Sequence, residues 1–203
     1  MKTNYVMIDF ENVTPDNLDM LERTEFKVKL FIGESQKSIP KAIAMAMQRI
    51  GKNGEYVETG GSGHNALDFH IAYYIGRISS EDKEAYFHIV SKDKGFDPLV
   101  KHLRGTGLFI DRVESIEAIP ALVQVGMVAK PLREQVDCVI ERLSKEGVTL
   151  PRSRKTLVNH VNAMFGKLLP EESVGAIVEA LFARGFVSEN GKRIEYKCDL
   201  KTK

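Results

Sequence analysis

Between Tyr86 and Arg104 the chain passes within a few residues from a strand pattern to a helix pattern: Tyr-Phe-His-Ile-Val-Ser-Lys-Asp-Lys-Gly-Phe-Asp-Pro-Leu-Val-Lys-His-Leu-Arg. Tyr86–Val90 is a short apolar run, the length of a buried strand. It stops at Ser91. Asp97 has the chemistry of an N-cap, Pro98 suits the first helical position, and Leu99, Val100 and Leu103 form an apolar stripe. Asp93 is thus expected just past the carboxyl end of a strand, and Asp97 at the mouth of the following helix. Open α/β sheets keep their chemistry at that edge.

Tyr5–Ile8 repeats the pattern, ending in Asp9-Phe10-Glu11-Asn12. Around these two strands, residues 1–126 alternate between strand and helix signals. Asn12–Glu22 predicts a short helix, Val28–Gly33 a second strand, and Ser38 and Pro40 open a helix that runs through Ile50 to a Gly51 stop. Glu55–Glu58 is a weaker third strand. A Gly-rich loop, Thr59-Gly60-Gly61-Ser62-Gly63-His64, leads into a helix from Asn65 to about Ile78. Leu108–Ile110 is a fifth strand, and Ile116–Val125 a last helix interrupted at Pro120. Such alternation predicts an α/β sandwich, a parallel sheet covered on both faces.

The pattern changes after a join at residues 127–131. Pro131–Glu146, Ser153–Phe165 and Pro170–Arg184 read as three helices, each followed by glycine. Phe186–Tyr196 reads as a hairpin around an Asn190-Gly191 type I′ turn. Three helices and a hairpin over residues 131–199 predict a winged helix-turn-helix. The expected domains are therefore 1–126 and 131–199.

Composition narrows the classes. The net charge of +1 excludes bulk basicity as the basis of nucleic-acid binding. The charge is uneven, however. Residues 1–129 carry 15 basic and 18 acidic side chains, and residues 130–203 carry 14 and 10. The mildly basic second part allows a nucleic-acid contact. Cys138 and Cys198 lie in no zinc or redox spacing, and reduced thiols are expected. With no leader-like or membrane-length apolar run, the expected location is cytoplasmic, with no membrane partner.

Asp68, three residues after Asn65, adds a third acid in the first turn of a helix that follows a strand. Asp9, Asp68, Asp93 and Asp97 would repel one another in one cleft unless a divalent cation lay among them. Mg²⁺ or Mn²⁺ held by carboxylates is the usual arrangement for phosphoryl chemistry, in which a water attacks and no protein nucleophile is needed.

Three stretches carry a specific resemblance: Tyr-Val-Met-Ile-Asp-Phe-Glu-Asn at residues 5–12, Asn65-Ala66-Leu67-Asp68, and Ser91-Lys92-Asp93-Lys94-Gly95-Phe96-Asp97-Pro98-Leu99. Over roughly residues 3–125 the chain resembles the PIN-like nuclease superfamily, close to its NYN branch. The resemblance implies a Rossmannoid fold of strand order 3-2-1-4-5 and a metal-dependent ribonuclease, with single-stranded RNA as the expected substrate. It maps the acidic site onto Asp9, Asp68, Asp93 and Asp97, with Asn12 and Ser91 orienting the ligands. In one departure, Lys94-Gly95 stands where many members carry a further acid, which favours one metal over two.

The alternative reading is a catalytically inactive PIN-like module that binds RNA or protein. A third is a dinucleotide enzyme: Gly61-Ser62-Gly63-His64-Asn65-Ala66 fits the Gly-x-Gly-x-x-Ala fingerprint but follows the third strand, with Asp68 where a pyrophosphate would sit. Lys92, Lys94 and His64 are the expected phosphate contacts of the first domain. Arg152, Arg154 and Lys155 open the second helix of the other domain, and Lys192 and Arg193 lie on its wing. The segment Arg152–Val161 resembles helix-turn-helix modules of bacterial PIN-like proteins and, distantly, the LOTUS (OST-HTH) module, which implies RNA, DNA or protein contacts. A homodimer stays open.

Overall fold

A computed structural model describes residues 2–60, 65–191 and 193–197. The chain divides into two compact units, Met1–Ile119 and Pro120–Lys203.

The first unit is built on five parallel strands: β1 (Asn4–Asp9), β2 (Phe26–Ile32), β3 (Gly54–Glu58), β4 (Tyr86–Val90) and β5 (Phe109–Val113). Their order is β3-β2-β1-β4-β5, as the resemblance implied, and every pairing is parallel. β1 lies at the centre and is buried on both faces. Tyr5 and Met7 join Ile71, Ile75, Phe87, Ile89 and Val100 in one apolar cluster, while the alternate residues Val6 and Ile8 are equally buried on the opposite face. Continuous apolar strands of this kind need a helical layer on each side.

Three helices cross this sheet: α1 (Lys41–Ile50), α2 (Ala66–Glu81) and α3 (Asp97–Gly105). Leu67, Ile71, Ile75 and Ile78 form the inward stripe of α2, spaced by three or four residues, and Val100 anchors α3 in the same cluster. α1 turns Ile43, Ala46, Met47 and Ile50 inward and ends at Gly51, whose φ of 64° suits a residue without Cβ.

Several expectations shift. The short helix expected over Asn12–Glu22 is only a 3-10 turn, Leu18–Leu21, entered through Asn17 at φ 61°. Asp97 does not cap its helix. It is the first helical residue, after a 3-10 turn at Lys94–Phe96 that Asp93 caps. β5 runs to Val113 because its register with β4 continues to Val90. At Pro120 a helix starts rather than breaks, since proline is suited to a first turn. A 3-10 turn, Ile116–Ala118, precedes it.

The second unit holds α4 (Pro120–Val128), α5 (Leu132–Leu143), α6 (Arg154–Met164), α7 (Glu171–Ala183) and the antiparallel pair β6 (Val187–Asn190) and β7 (Arg193–Tyr196). α4 was expected with the first domain. Its Met127 instead packs with Val136, Val139, Leu157, Ile177 and Leu181, which places it in this unit. Ser153 caps α6 in a reciprocal box with Thr156. The hairpin turn lies one residue later than expected: Asn190 pairs with Arg193, and the positive φ of 63° falls on Gly191.

Cys138 is a free, partly buried thiol, and Cys198 lies outside the described residues. Among the described residues no helix is long and apolar enough to cross a membrane.

Candidate functional site at the carboxyl edge of the sheet

Asp9 is the last residue of β1 and has no exposed surface. Its parity is that of Tyr5 and Met7, so its side chain turns to the face covered by α2 and α3. There its carboxylate meets four donors. Oδ1 accepts from the backbone N–H groups of Glu11 and Asn12, each at 3.2 Å, and Oδ2 accepts from Asn12 Nδ2 and Ser91 Oγ, each at 2.7 Å. All four are neutral. Hydrogen bonds to the ionised form are the strong kind, and four of them offset much of the cost of burial.

Ser91, also fully buried, is the hub between the two strand ends. Its hydroxyl donates to Asp9 and accepts from the backbone N–H of Asp93 at 3.0 Å. Asp93 is half-buried, and its Oδ1 accepts from Gly95 N–H at 2.7 Å. This contact accounts for Gly95, the departure noted in the sequence: a Cβ there would stand 3.1 Å from Asp93 Oδ1, tighter than ordinary contact. Lys92 and Lys94, on either side of Asp93, are both exposed.

Asp97 has a partner of its own. It is exposed and accepts from Arg112 Nε at 2.6 Å. The guanidinium holds its carboxyl below the usual carboxylate range, and the arginine is raised in turn. Arg112 Nη1 also donates to Ser91 O at 3.0 Å and lies 3.7 Å from Glu114. Arg112 was not among the expected site residues. Its signal was available: it has the inward parity of the buried Ile110 two residues earlier. Glu11, exposed and accepting from Ser35 Oγ at 3.3 Å, is a further acid of this edge that was passed over.

Asp68 lies in the first turn of α2, half-buried, on the helix whose Leu67 and Ile71 pack against the same sheet face as Met7. His64, and with it Gly61, Ser62 and Gly63 of the loop before α2, lies outside the described residues.

The donors of Asp9, Asp68, Asp93 and Asp97 are all carboxylate oxygens, the chemistry a hard divalent cation takes. Their arrangement does not match it. Among the described residues no three carboxylate, histidine or cysteine side chains converge closely enough to hold a metal ion. Asp9 has engaged both oxygens, and Asp97 is held by Arg112. The four-acid cage expected from the sequence is therefore not assembled in this arrangement. The edge does offer a fixed buried carboxylate, a half-buried one linked to it through Ser91, and two exposed lysines. Such a set can orient a water, accept its proton and screen a phosphodiester.

In the second unit, Arg154 stays exposed but is engaged by its neighbours. It pairs with Glu179, pairs with Glu189 at 3.2 Å, and lies over the Phe182 ring at 4.9 Å, so its charge ties α6 to α7 and the hairpin. Arg152, Lys155 and Arg193 are exposed, and Lys192 lies outside the described residues.

Residues 3–113 match a family model described as PIN domain. No curated protein and no solved structure matches the chain.

Proposed function

Because the chain belongs to the PIN-domain family, we propose that its first unit binds single-stranded RNA at the carboxyl edge of the sheet and hydrolyses its phosphodiester bonds; dependence on Mg²⁺ or Mn²⁺ is supported by the family and by the carboxylate donors, and requires Asp9, Asp68 and Asp93 to converge further than they do here. One observation carries this reading. Two strand ends distant in sequence, at Asp9 and Ser91-Lys92-Asp93, are joined by hydrogen bonds around a wholly buried carboxylate at the edge where parallel sheets bind ligands. In this reading Asp9 is the fixed charge, Asn12 and Ser91 hold its orientation, and Asp93 accepts a proton from the attacking water. Lys92 and Lys94 meet the phosphates. Asp68 completes the acidic side from α2. The small second unit, read as a winged helix-turn-helix, adds nucleic-acid contacts through Arg152, Lys155 and Arg193.

A second reading is favoured by the same geometry: a module that binds RNA and does not cut it. The observation behind it is the absence, among the described residues, of a converged three-acid group, together with the Arg112–Asp97 pair.

Labelled single-stranded RNA, incubated with the full chain in Mn²⁺, in EDTA, and with Asp93→Asn, separates the two. Cleavage that needs the metal and falls at least ~100-fold in the variant supports hydrolysis. Binding without cleavage by pure wild-type protein replaces it with the second reading.

A further inference from the structure

α2 carries two of the most exposed aromatic side chains in the protein. Phe69 is 70% exposed and Tyr73 is 60% exposed. Neither is needed for packing, since the helix is already anchored by Leu67, Ile71, Ile75 and Ile78. Four residues apart, they stand on one helix face, about 6 Å apart along the axis. Phe69 directly follows Asp68. Beyond Tyr73, Gly76 leaves the surface open, because a Cβ there would meet nothing within 4 Å.

At its far end the row becomes cationic. The Arg77 guanidinium lies 5.9 Å from the Tyr73 ring and 4.8 Å from that of Tyr74. A cleft of about 270 Å³ opens beside it, lined by Lys27, Lys29, Lys52 and Arg77 against only Glu55 and Glu81. Lys29 is paired with Glu55 and also lies 5.1 Å from the Tyr74 ring.

Resting on the RNA reading above, we infer that this face of α2 is a track for single-stranded RNA: bases stack on Phe69 and Tyr73, and the backbone passes Arg77 into the Lys27–Lys29–Lys52 cleft. Aromatic rungs for bases beside cations for phosphates are how sequence-tolerant single-strand binders work. A protein-docking face would be expected to carry a broader apolar patch than two rings bounded by a glycine and an arginine. The track leads away from Asp68, so it would hold the strand on the α2 side of the acidic edge and favour unpaired over duplex RNA.

The test is the binding of a fluorescein-labelled 15-nucleotide single-stranded RNA, and of its duplex, to the full chain in EDTA, read by fluorescence anisotropy. Phe69→Leu and Tyr73→Leu keep an apolar residue of good helix propensity and remove the ring. Phe69→Tyr and Tyr73→Phe keep the ring. The expected result is that each leucine variant binds single strands roughly 5-fold or more weakly, the double variant more weakly still, and the ring-preserving variants bind like wild type. Melting curves confirm that all are folded. If wild type binds RNA and the leucine variants bind equally well, the track is wrong while the RNA reading stands. If wild type binds no single-stranded RNA, the RNA reading fails and the track with it. If light scattering shows a wild-type dimer that the leucine variants dissociate, the face is a contact between copies and the track is overturned.

Discussion

The two central strands, β1 and β4, are joined by a polar pair at each end. At the carboxyl end Ser91 donates to Asp9 at 2.7 Å, and toward the amino end His88 Nε2 meets Asn4 Oδ1 at 2.9 Å. Asp9, Ser91 and His88 are almost completely buried, and their surroundings differ. Asp9 has donors from a turn, an asparagine and a serine, because strands that end there release backbone N–H groups into the loops that follow. His88 lies inside its strand, where the backbone is committed to neighbouring strands. It stacks on Tyr86, and its Nδ1 is buried without a partner. The carboxyl end can therefore hold an ion, and the amino end holds a neutral ring. Burial pushes the His88 pKa down to about 4. A carboxylate held by donors at one end of the same strand pair and a neutral ring at the other is the physical reason for placing the proposed chemistry at the carboxyl edge.

The largest effect is expected from removing the anchor of the charged end. Asp9→Ala would leave four donors facing a void, the Ser91 hydroxyl wholly buried among them. The expected loss is about 4 kcal/mol in urea unfolding. A loss below about 1 kcal/mol would show that the network relaxes freely and that the two ends do not differ in kind.

The neutral end is tested by acid. His88 is depressed when folded and titrates near its ordinary value of about 6.5 when unfolded. Between those pH values the unfolded chain binds the extra proton, so stability falls as pH drops from about 6.5 toward 4 and changes no further through this group below that. The whole effect is about 3 kcal/mol. It should disappear in His88→Gln, which keeps a donor for Asn4. The same acid sensitivity in wild type and variant would show that His88 already binds a proton in the folded state.

Ser91→Ala comes next. It removes one donor from Asp9 and the acceptor of Asp93 N–H, and about 1.5 kcal/mol of stability is the expected cost. RNA cleavage should fall with it, because Asp93 loses its tether to Asp9. Unchanged cleavage would mean that the two acids act independently.

Much of this frame is legible in the sequence. The apolar runs that locate β1 and β4 are buried on both faces, and a pattern without alternation signals a parallel sheet. The resemblance supplied the strand order and pointed to Asp9, Ser91 and Asn12, which the structure brings together. Arg112 was harder to see. An arginine near the end of an edge strand reads as solvated; its inward parity with Ile110 was the one signal, and the fold shows it turned beneath the start of α3. The helix position of Asp97 was misread for a related reason. Asp-Pro before an apolar stripe is a helix-cap signal, but the 3-10 turn that Asp93 caps advances the helix start by a residue and hands Asp97 to Arg112. Arg154 shows the limit of charge runs: Pro151-Arg152-Ser153-Arg154-Lys155 reads as one basic patch, yet the second of its three cations is committed to Glu179 and Glu189.

Asp97 gives the smallest effect and the sharpest contrast with Asp9. Both are carboxylates near the same strand ends, and both were expected to act together. Asp97 is exposed and compensated by an arginine, whereas Asp9 is buried and compensated by neutral donors. The Asp97 end of the pair is hydrated and screened by salt, and Arg112, largely buried, keeps Ser91 O and Glu114 as partners when Asp97 is neutralised, so the loss is small. Asp97→Asn should therefore change the melting temperature least of the four substitutions and leave RNA cleavage within about 3-fold of wild type, well short of the ~100-fold loss expected for Asp93→Asn. Its pH signature is specific. With the folded carboxyl held below its ordinary range, the contribution of the Arg112 pair is complete above about pH 4 and is lost only as pH falls through the depressed value, a window that lies below most of the His88 titration. Melting curves from pH 7 to 2 in wild type, His88→Gln and Asp97→Asn would resolve the two windows. A loss of cleavage in Asp97→Asn as deep as in Asp93→Asn would instead place Asp97 among the reacting groups and make Arg112 its partner in the resting state alone.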